Sequence, residues 1–353
     1  MFNYANKNYI NFNNIDSYNK TFNLIICPRF AGKTVQTIYI KLFKTIVNNK
    51  GSVLIVKRYD NEVSKNTVES IETYINTFLP ENKKIEFVEV AGTKNSVMTF
   101  KIRQNNHTFK NNIMMIWLGR TQKLKQLVIN NVRNVIFDEY CIDPNTEKYQ
   151  TNEFEKIYQL YGTLARFTTQ KIKFYFCGNP YSRYNPFTNF FKVDLSKMKP
   201  GELIVGKSYT VWCYQLTPQR IEELKTNYDF CNNEYDNFTL EGNYLLDNKL
   251  TMISQKRLEY TKLGYYIYYN NSFYAVFQSY YINFYEIKKP YKNSKKTVYT
   301  LNILDCAQNP EYVLINNENK IVFEYLKRSI NSNKVLYNSI KGIIDIKEIY
   351  SKI

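Results

Sequence analysis

Short apolar runs alternate with longer amphipathic stretches over the first 200 residues of the chain. Four apolar runs have the length of a buried strand: Phe22–Ile26, Val53–Val56, Val132–Phe137 and Ile172–Cys177. Between them lie stretches with helical periodicity, at 35–47, 63–75 and 153–165. Because the runs are apolar on both faces and separated by helices, they indicate a mostly parallel sheet covered on both sides. The first 200 residues are therefore predicted to form one α/β domain.

The pattern changes after about residue 200. Residues 201–250 hold a short strand near Tyr209–Tyr214 and a helix that begins near Thr217. From about residue 251 onward, short strands dominate: Tyr265–Tyr269, Phe273–Phe277, Tyr280–Ile287, Val298–Leu304, Tyr312–Ile315 and Ile321–Tyr325. A helical stretch follows from about Asn333. We predict a connecting subdomain at 201–250 and a smaller α+β domain at 251–353.

The first polar motif lies where the first strand meets the first helix. It reads Cys27-Pro28-Arg29-Phe30-Ala31-Gly32-Lys33-Thr34. In a phosphate-binding loop, backbone N–H groups hold phosphate oxygens, the lysine faces the β- and γ-phosphates, and the threonine hydroxyl binds Mg²⁺. The usual pattern has glycine at the position of Cys27, and an ordinary strand-to-helix turn is the alternative interpretation. All eight residues are candidates for binding a nucleotide, and Thr34 is also a candidate metal ligand.

Two adjacent carboxylates follow another apolar strand. Asp138 and Glu139 come directly after the run 132–137. Asp138 is a candidate Mg²⁺ ligand opposite Thr34, and Glu139 is a candidate base that orients and deprotonates the attacking water. A kinase does not need a second acid in that role, so the pair favours hydrolysis. The carboxyl ends of parallel strands meet at one edge of a sheet, so we expect both motifs to form one site for ATP and Mg²⁺.

A third motif, Gly178-Asn179-Pro180, follows the strand 172–177. Asn179 is a candidate sensor of the γ-phosphate, because its amide can form hydrogen bonds to phosphate oxygens. Turn chemistry alone also favours asparagine before proline, so the role depends on the two earlier motifs.

Arginines near these motifs are candidates for stabilising transition-state charge. Arg29 lies inside the loop and could contact the γ-phosphate of its own subunit. Arg166 follows the helix 153–165 and could reach the nucleotide of a neighbouring subunit. Alternatives are the basic cluster before the acidic strand: Arg120, Lys123 and Lys125. An ordinary surface charge is an equally good interpretation of each.

The net charge narrows the class of partner. Lys and Arg number 48 against 31 Asp and Glu, which gives +17, and such an excess favours a polyanion such as nucleic acid. No apolar run is long enough to span a bilayer, so a membrane partner is not expected. The six cysteines form no Cys-x-x-Cys pair and His107 is the only histidine, so neither a zinc site nor a Cys–His catalytic pair is expected.

The three motifs together resemble those of one enzyme family. The segments CPRFAGKT, VIFDEY and FCGNP are similar to the motifs of terminase-type packaging ATPases, in particular the DNA-encapsidation ATPases of small protein-primed tailed phages. The resemblance covers about residues 20–180. It implies an ASCE-type P-loop NTPase fold for residues 1–200, with a mostly parallel sheet flanked by helices. For residues 251–353 it implies a smaller α+β, RNase H-like domain.

The resemblance also implies an assembly and residue roles. The assembly would be a homo-oligomeric ring, a pentamer, docked on the portal of an empty viral capsid in the host cell cytoplasm. Each subunit would hydrolyse ATP and translocate double-stranded DNA, and a packaging RNA is a further partner that the sequence leaves open. Lys33 and Thr34 match the phosphate-loop positions, Asp138 and Glu139 match the acidic pair, and Arg166 matches an arginine that acts in trans.

The C-terminal domain of larger terminases is a nuclease that needs clustered acidic residues for two metal ions. Residues 251–353 contain only two aspartates, Asp305 and Asp345, and carry 15 Lys and Arg against 8 Asp and Glu. We therefore expect a vestigial nuclease domain without a metal site, which contacts DNA or a capsid-associated partner by charge. The candidate DNA-binding residues, in a stretch that a solvated loop explains equally well, are Lys288, Lys289, Lys292, Lys295 and Lys296.

Two other functions share these sequence features. A P-loop helicase or remodeller that acts on nucleic acid outside a capsid would have the same ATPase core. A nucleotide-gated DNA-binding or scaffold protein would bind the nucleotide without turnover, and Cys27 would then mark a degenerate loop. The packaging motor is the preferred prediction, the remodeller is the second and the scaffold protein is the third.

Overall fold

The structure is a computed structural model, and it divides the chain into two compact units. It describes residues 9–90, 97–120, 131–142, 147, 149–150, 152–166, 168, 170–181, 185–193, 195, 198–199, 201–229, 234–242, 262–278, 282–316, 318–331, 335–339, 341–342, 345–346 and 348–349. The first unit comprises Met1–Tyr181 and Pro186–Leu245, and the second comprises Ser182–Asn185 and Leu246–Ile353. No helix among the described residues is both long and apolar enough to cross a membrane.

One sheet organises the first unit. Its described strands are β1 (Phe22–Ile26), β2 (Ser52–Lys57), β3 (Glu86–Glu89), β4 (Met98–Gln104), β5 (His107–Trp117), β6 (Val132–Asp138), β7 (Lys173–Gly178), β8 (Leu203–Val205) and β9 (Tyr209–Cys213). They lie in the order β3-β4-β5-β2-β6-β7-β1-β9-β8. The six strands from β5 to β9 in that order are parallel, and the outer strands pair antiparallel. The mostly parallel sheet predicted from the sequence is confirmed.

Helices cover both faces of this sheet, which explains the continuous apolar runs. In β2, Leu54 and Val56 pack into one core with the helix Glu153–Ala165. Val53 and Ile55 point to the opposite face, into a core with the helical segments after the phosphate loop. These segments are a π-helix, Val35–Phe43, and an α-helix, Lys44–Val47. Successive side chains in a strand alternate between faces, so a strand buried on both sides must be apolar throughout.

The other described helices of this unit are shorter or lie further from the phosphate loop. The α-helices are Asn13–Asp16, Lys65–Asn76, Pro186–Phe190, Pro218–Asn227 and Glu234–Glu241, and the 3-10 helices are Asp60–Glu62 and Glu81–Lys83. Side-chain caps fix the start of two of them, because Ser64 accepts a hydrogen bond from the Thr67 N–H and Thr217 accepts one from the Arg220 N–H.

The segment 201–250 is not a separate connecting subdomain in its described part, contrary to the sequence prediction. β9 pairs parallel with β1, so that Cys213 lies beside Ile26, and β8 pairs with β9 at the edge of the sheet. Parallel pairing joins strands that are far apart in sequence, and local periodicity carries no signal for it. The first unit therefore extends beyond the predicted boundary at residue 200.

A second sheet organises the second unit. Its described strands are β10 (Lys262–Tyr269), β11 (Ser272–Gln278), β12 (Ile282–Ile287), β13 (Val298–Thr300), β14 (Tyr312–Leu314) and β15 (Val335–Tyr337). They lie in the order β14-β13-β10-β11-β12-β15. An antiparallel meander, β10-β11-β12, is extended by β13 parallel to β10 and by β14 parallel to β13. The five-strand order β14-β13-β10-β11-β12 is that of an RNase H-like domain, as predicted, and β15 adds a sixth strand parallel to β12.

Two of the predicted strands in this unit are partly or wholly helical. The stretch 298–304 is a strand only as far as Thr300, and the helix Ile303–Gln308 follows. The stretch 321–325 lies in the 3-10 helix Lys320–Phe323 and the start of the α-helix Glu324–Asn331. Short apolar runs cannot be assigned to strand or helix by periodicity alone, and here Phe323 and Leu326 pack into the core from a helix.

Candidate active site

The predicted phosphate loop connects β1 to the π-helix Val35–Phe43 at the carboxyl edge of the sheet. Phe30 and Gly32 have left-handed backbone angles, with φ of 61° and 84°. A Cβ atom on residue 32 would lie 2.7 Å from Cδ1 of Tyr9, so glycine is required there for space as well as conformation. Cys27 is buried and is not among the described residues with positive φ. The first loop position therefore has no need of glycine in this chain, and the departure from the usual pattern leaves the turn intact.

Lys33 of the phosphate loop contacts residues of the other two sequence motifs. Its Nζ donates a hydrogen bond to Oδ1 of Asn179 over 3.3 Å and lies 3.8 Å from Oδ1 of Asp138. Burial lowers the pKa of Lys33, but the nearby acidic groups, with the Asp138 carboxylate the strongest of them, together outweigh burial and raise the pKa overall. The ammonium is therefore fully charged near neutral pH, as binding of phosphate requires. The prediction that the three motifs meet at one edge of the sheet agrees with this geometry.

The acidic pair ends β6 in a constrained turn. Glu139 is left-handed, with φ of 59°, and its N–H donates to Oδ1 of Asp138 over 3.1 Å. The Glu139 residue is exposed, whereas Asp138 is half-buried. A left-handed conformation costs a residue with a side chain about 1 kcal/mol and persists only where neighbours fix it. The turn directs two adjacent carboxylates differently, one toward Lys33 and one toward solvent.

Arg58, which the sequence analysis did not single out, fixes this turn. It follows β2 and is only 4% exposed. Its Nη1 donates to the Glu139 carbonyl over 2.9 Å, and its Nη2 donates to the Tyr140 carbonyl over 3.0 Å. The same guanidinium forms a fork with the buried Glu153 carboxylate, at 2.9 Å from Nη2 and 3.1 Å from Nε. The Glu153 charge and hydrogen bonds outweigh the effect of burial and raise the pKa of Arg58, so the guanidinium keeps its charge.

A sequence signal for Arg58 existed, although its partner could not be inferred. An arginine directly after a buried parallel strand must lie at the carboxyl edge, where the ligand site forms. Glu153 is the first residue of its helix and carries no such signal, because a glutamate in a first helical turn is ordinary.

Gly178 holds the ends of β1, β6 and β7 together. The Cys27 N–H donates to the Gly178 carbonyl over 3.0 Å, and the Tyr140 N–H donates to the Cys177 carbonyl over 3.1 Å. A Cβ atom on residue 178 would lie 2.9 Å from both the backbone N and the Cβ of Cys141. This close approach accounts for glycine in the third motif.

We expect Gly178→Ala to destabilise the protein by about 1–3 kcal/mol, because the added methyl group must push a backbone segment away. The free energy of unfolding from urea denaturation measures the effect. Gly162→Ala is the matched control, because a Cβ atom there meets nothing within 4 Å. Equal stability of the two variants would show that the Gly178 contact is not as close as described.

The remaining predicted site residues occupy different places. Thr34 and Arg29 are exposed, Pro28 and Ala31 are buried, and Asn179 is 7% exposed. Cys27, Cys141 and Cys177 are buried without disulfides, and burial raises the pKa of Cys27 to about 12. These thiols are therefore packing groups and not nucleophiles.

Arg166 lies away from the nucleotide loop of its own chain. The helix Glu153–Ala165 starts beside Arg58 and, at about 1.5 Å per residue, places Arg166 roughly 20 Å from Glu153. Two tyrosines of this helix, Tyr158 and Tyr161, contact Phe22, the first residue of β1. A role for Arg166 therefore requires a neighbouring subunit, and it stays a prediction. Arg120 follows β5 at the carboxyl edge of the sheet, and Lys123 and Lys125 lie outside the described residues.

An aromatic side chain from the N-terminal segment and an arginine from the helix Pro218–Asn227 lie beside the phosphate loop. The Tyr9 ring lies against Gly32 of the loop, whereas Phe12 is buried and Tyr18 is exposed. The Arg220 guanidinium lies over the Tyr9 ring, 5.2 Å from its centroid. Such stacked planar groups offer a surface for a nucleotide base.

The donor groups present fit Mg²⁺. Mg²⁺ prefers oxygen ligands and usually takes only one or two from the protein, with water and substrate phosphates completing the shell. The accessible Thr34 hydroxyl and the Asp138 carboxylate provide such a pair beside Lys33. Within the described part of the chain, no three His, Cys, Asp or Glu side chains converge to hold a metal by themselves.

The predicted DNA-binding lysines all lie on the exposed loop between β12 and β13. This loop borders an open cavity of about 530 Å³, lined by Leu263, Tyr291, Asn293, Ser294, Lys295 and Lys296. Asp305 and Asp345, the two aspartates of residues 251–353, are engaged elsewhere. Asp305 accepts a hydrogen bond from the Thr300 hydroxyl over 2.7 Å, and the buried Asp345 accepts hydrogen bonds from Tyr274 and Asn270.

Known proteins are similar to this chain over nearly its whole length. No protein-family model matches the sequence, and no curated protein matches it. Two solved structures match over nearly the full length of both chains. The Phi-28 gp11 DNA packaging motor has a TM-score of 0.58 and 18% identity, over 97% of each chain. The bacteriophage Phi-29 viral genome packaging motor assembly has a TM-score of 0.60 and 18% identity, over 98% of this chain and 99% of the other. Both units of this chain therefore have the fold of these phage DNA-packaging motor proteins.

Proposed function

We propose that this chain is the ATP-hydrolysing subunit of a motor that drives double-stranded DNA through a portal into a viral capsid. The observation that carries the proposal is the convergence of Lys33, Asp138 and Asn179 at one edge of the sheet. A phosphate loop, a metal-binding acid and a sensor amide are the parts that phosphoryl transfer requires. They occur here on a fold shared with two packaging-motor proteins over nearly its whole length.

In the proposed mechanism, the loop holds the ATP phosphates and Lys33 neutralises charge on the β- and γ-oxygens. Thr34 and Asp138 would hold Mg²⁺, which supplies further charge neutralisation on the phosphates. Glu139 accepts a proton from the attacking water, and its exposed carboxylate is free to meet that water. The hydrogen bond between Lys33 and Asn179 breaks or forms again as the γ-phosphate leaves. Loss of the γ-phosphate therefore changes the contacts at the end of β7.

The wider assembly follows from the same proposal. Subunits form a homo-oligomeric ring, with Arg166 of one subunit facing the nucleotide of the next. The exposed lysines from Lys288 to Lys296 contact DNA phosphates or a capsid-associated partner by charge. The ring acts in the host cell cytoplasm and is docked transiently at the portal vertex of the capsid. A packaging RNA is a further candidate component of the assembly at the portal.

The role of Arg166 gives a prediction that distinguishes action in trans from a surface charge. We expect Arg166→Ala to bind ATP normally as a monomer and to lose about 10³-fold in turnover as an assembled ring. Mixing it with Glu139→Gln should restore some turnover, because interfaces then exist with Arg166 from one subunit and Glu139 from the other. Lys192→Ala, at an exposed position after the helix Pro186–Phe190, is the control. Normal turnover of Arg166→Ala rings would assign the trans role to another residue, with Arg120 the first to examine.

The proposed motor differs from a helicase in what it does to the duplex. The test uses linear duplex DNA that carries a triplex-forming third strand, in parallel with a forked duplex. A packaging motor displaces the third strand with ATP and leaves the duplex paired. Release of single strands from the forked duplex would instead favour the helicase or remodeller. Displacement in neither substrate, by rings that hydrolyse ATP, would contradict translocation.

A further inference from the structure

A small pocket lies at the edge of the first sheet opposite the candidate nucleotide site. Its volume is about 220 Å³. Arg133 and Asn134 line it near the start of β6, and Lys173 lines it at the start of β7. Asp138 and Gly178 end the same two strands at the nucleotide site. At about 3.3 Å per residue the two places lie roughly 17 Å apart, so the pocket is a separate feature of the fold.

The pocket has an excess of positive charge. The basic side chains that line it are Lys41, Lys44, Lys50, Arg133 and Lys173. Asp16 is the one acidic side chain among its described lining residues, so the charge of the lining is five minus one, or +4. A concave site of one sign focuses the electric field and attracts the opposite charge more strongly than the same groups on a flat surface.

Positive charge is also in excess in the buried part of the pocket. Lys41 and Lys173 are 6% and 8% exposed, and both ammonium groups pair with the single Asp16 carboxylate. The Tyr175 hydroxyl donates to the same carboxylate over 2.6 Å. The single negative charge of Asp16 therefore has three partners, which are two buried ammonium groups and a hydroxyl donor. A buried charge without a full counter-charge is costly, and a bound anion would provide the missing one.

The rim of the pocket adds groups suited to an oxyanion. Arg133 is half-buried, and its Nη1 donates to the Lys171 carbonyl over 2.8 Å, which fixes the guanidinium. Lys50 is exposed beside it. Neither side chain pairs with a carboxylate within the part of the chain that the structure describes. Lysine and arginine are donors without acceptor atoms, so the ligand must supply acceptors.

We propose that this pocket binds one phosphate group, either from a nucleic-acid backbone or as free phosphate. The volume is below the range of about 300–1,000 Å³ that is usual for larger organic ligands, but a single tetrahedral oxyanion fits it. Arg133 provides a planar fork of donors, and the lysines provide point charges around it. The helical segments Val35–Phe43 and Lys44–Val47, which follow Thr34, carry Lys41 and Lys44. A phosphate bound in the pocket would therefore contact the helical segments that follow the phosphate loop.

The first arm of the test measures binding of inorganic phosphate by calorimetry. Phosphate also binds phosphate loops, so all proteins in this arm carry Lys33→Ala. We expect Lys50→Gln with Arg133→Gln to weaken phosphate binding about tenfold or more, because charge-assisted hydrogen bonds are lost at partly exposed groups. Lys207→Gln, in the exposed turn between β8 and β9, is the matched control and should change nothing. Thermal melting of each variant checks that the fold is retained.

The second arm measures binding of a short DNA duplex at several salt concentrations, in the absence of phosphate. If the pocket holds backbone phosphate, the double variant lowers the slope of log affinity against log salt by about 1, as expected for one lost phosphate contact. A response in the first arm alone assigns the pocket to free phosphate, and a response in the second assigns it to the nucleic-acid backbone. No response in either arm would overturn the proposal. The first arm responds whether or not the protein is a packaging motor, so the two proposals fail separately.

Discussion

Replacement of Glu139 by glutamine is expected to lower ATP turnover by about 10²–10⁴-fold while the protein still binds ATP. Glutamine keeps the size of the side chain and cannot accept a proton from the attacking water. The groups that hold the nucleotide, Lys33 and Asp138, are untouched, so the loss appears in kcat and not in ATP affinity. Single-turnover hydrolysis and equilibrium binding of a fluorescent ATP analogue measure the two quantities separately.

The matched control for this prediction is Glu155→Gln. Glu155 is an exposed glutamate in the helix Glu153–Ala165 and has no place in the site. It should hydrolyse ATP at the rate of the unchanged protein. Normal turnover in Glu139→Gln would show that another residue is the base. The constrained turn after β6 would then have no role in placing a catalytic carboxylate. Loss of ATP binding in Glu139→Gln would instead assign Glu139 to the ligand shell.

Arg58→Met is expected to have the largest effect on stability of any single change considered, about 3–5 kcal/mol. The change leaves the Glu153 carboxylate buried without its counter-charge, with 1% of that residue exposed. It also removes the donors to the Glu139 and Tyr140 carbonyls. Urea denaturation measures the free energy of unfolding. Arg103→Met is the matched control, because it breaks an exposed ion pair with Glu86 and should cost about 1 kcal/mol or less.

A double variant separates the structural role of Arg58 from its effect on the active site. Arg58→Met with Glu153→Met leaves no uncompensated buried charge and should recover much of the lost stability. The Glu139 turn still lacks its two hydrogen bonds, so we expect kcat to stay about 10- to 100-fold low while KM for ATP changes little. Arg58 is then a positioning residue that acts through Glu139. Recovery of both stability and kcat in the double variant would contradict that role.

Pattern alone predicted much of the first unit, and the reason lies in the burial of its strands. Runs such as Phe22–Ile26 are buried throughout, so their composition identifies them. The helix at 153–165 has the bounds that its periodicity indicates. The placement of three polar motifs at strand ends then sufficed to predict that Lys33, Asp138 and Asn179 would meet, because parallel strands present their carboxyl ends together.

The features that pattern did not predict depend on contacts between distant segments. The fork between Arg58 and Glu153 joins residues whose pairing no local spacing encodes. The left-handed turn at Glu139 is fixed by the hydrogen bonds that Arg58 donates to the Glu139 and Tyr140 carbonyls and not by the residue type, since glutamate carries no preference for positive φ. β9 joins the sheet only through β1, which explains the misplaced boundary at residue 200. The phosphate loop accepts cysteine at position 27 because the backbone there does not have a positive φ, and the sequence pattern does not predict this angle.

The most direct test of the account is steady-state ATP hydrolysis by the purified protein, assembled as a ring, with and without linear double-stranded DNA. We expect turnover that rises when DNA is added and disappears in Glu139→Gln. Tight ATP binding without hydrolysis in the presence of DNA, or hydrolysis that DNA leaves unchanged, would contradict the coupling of this site to DNA movement.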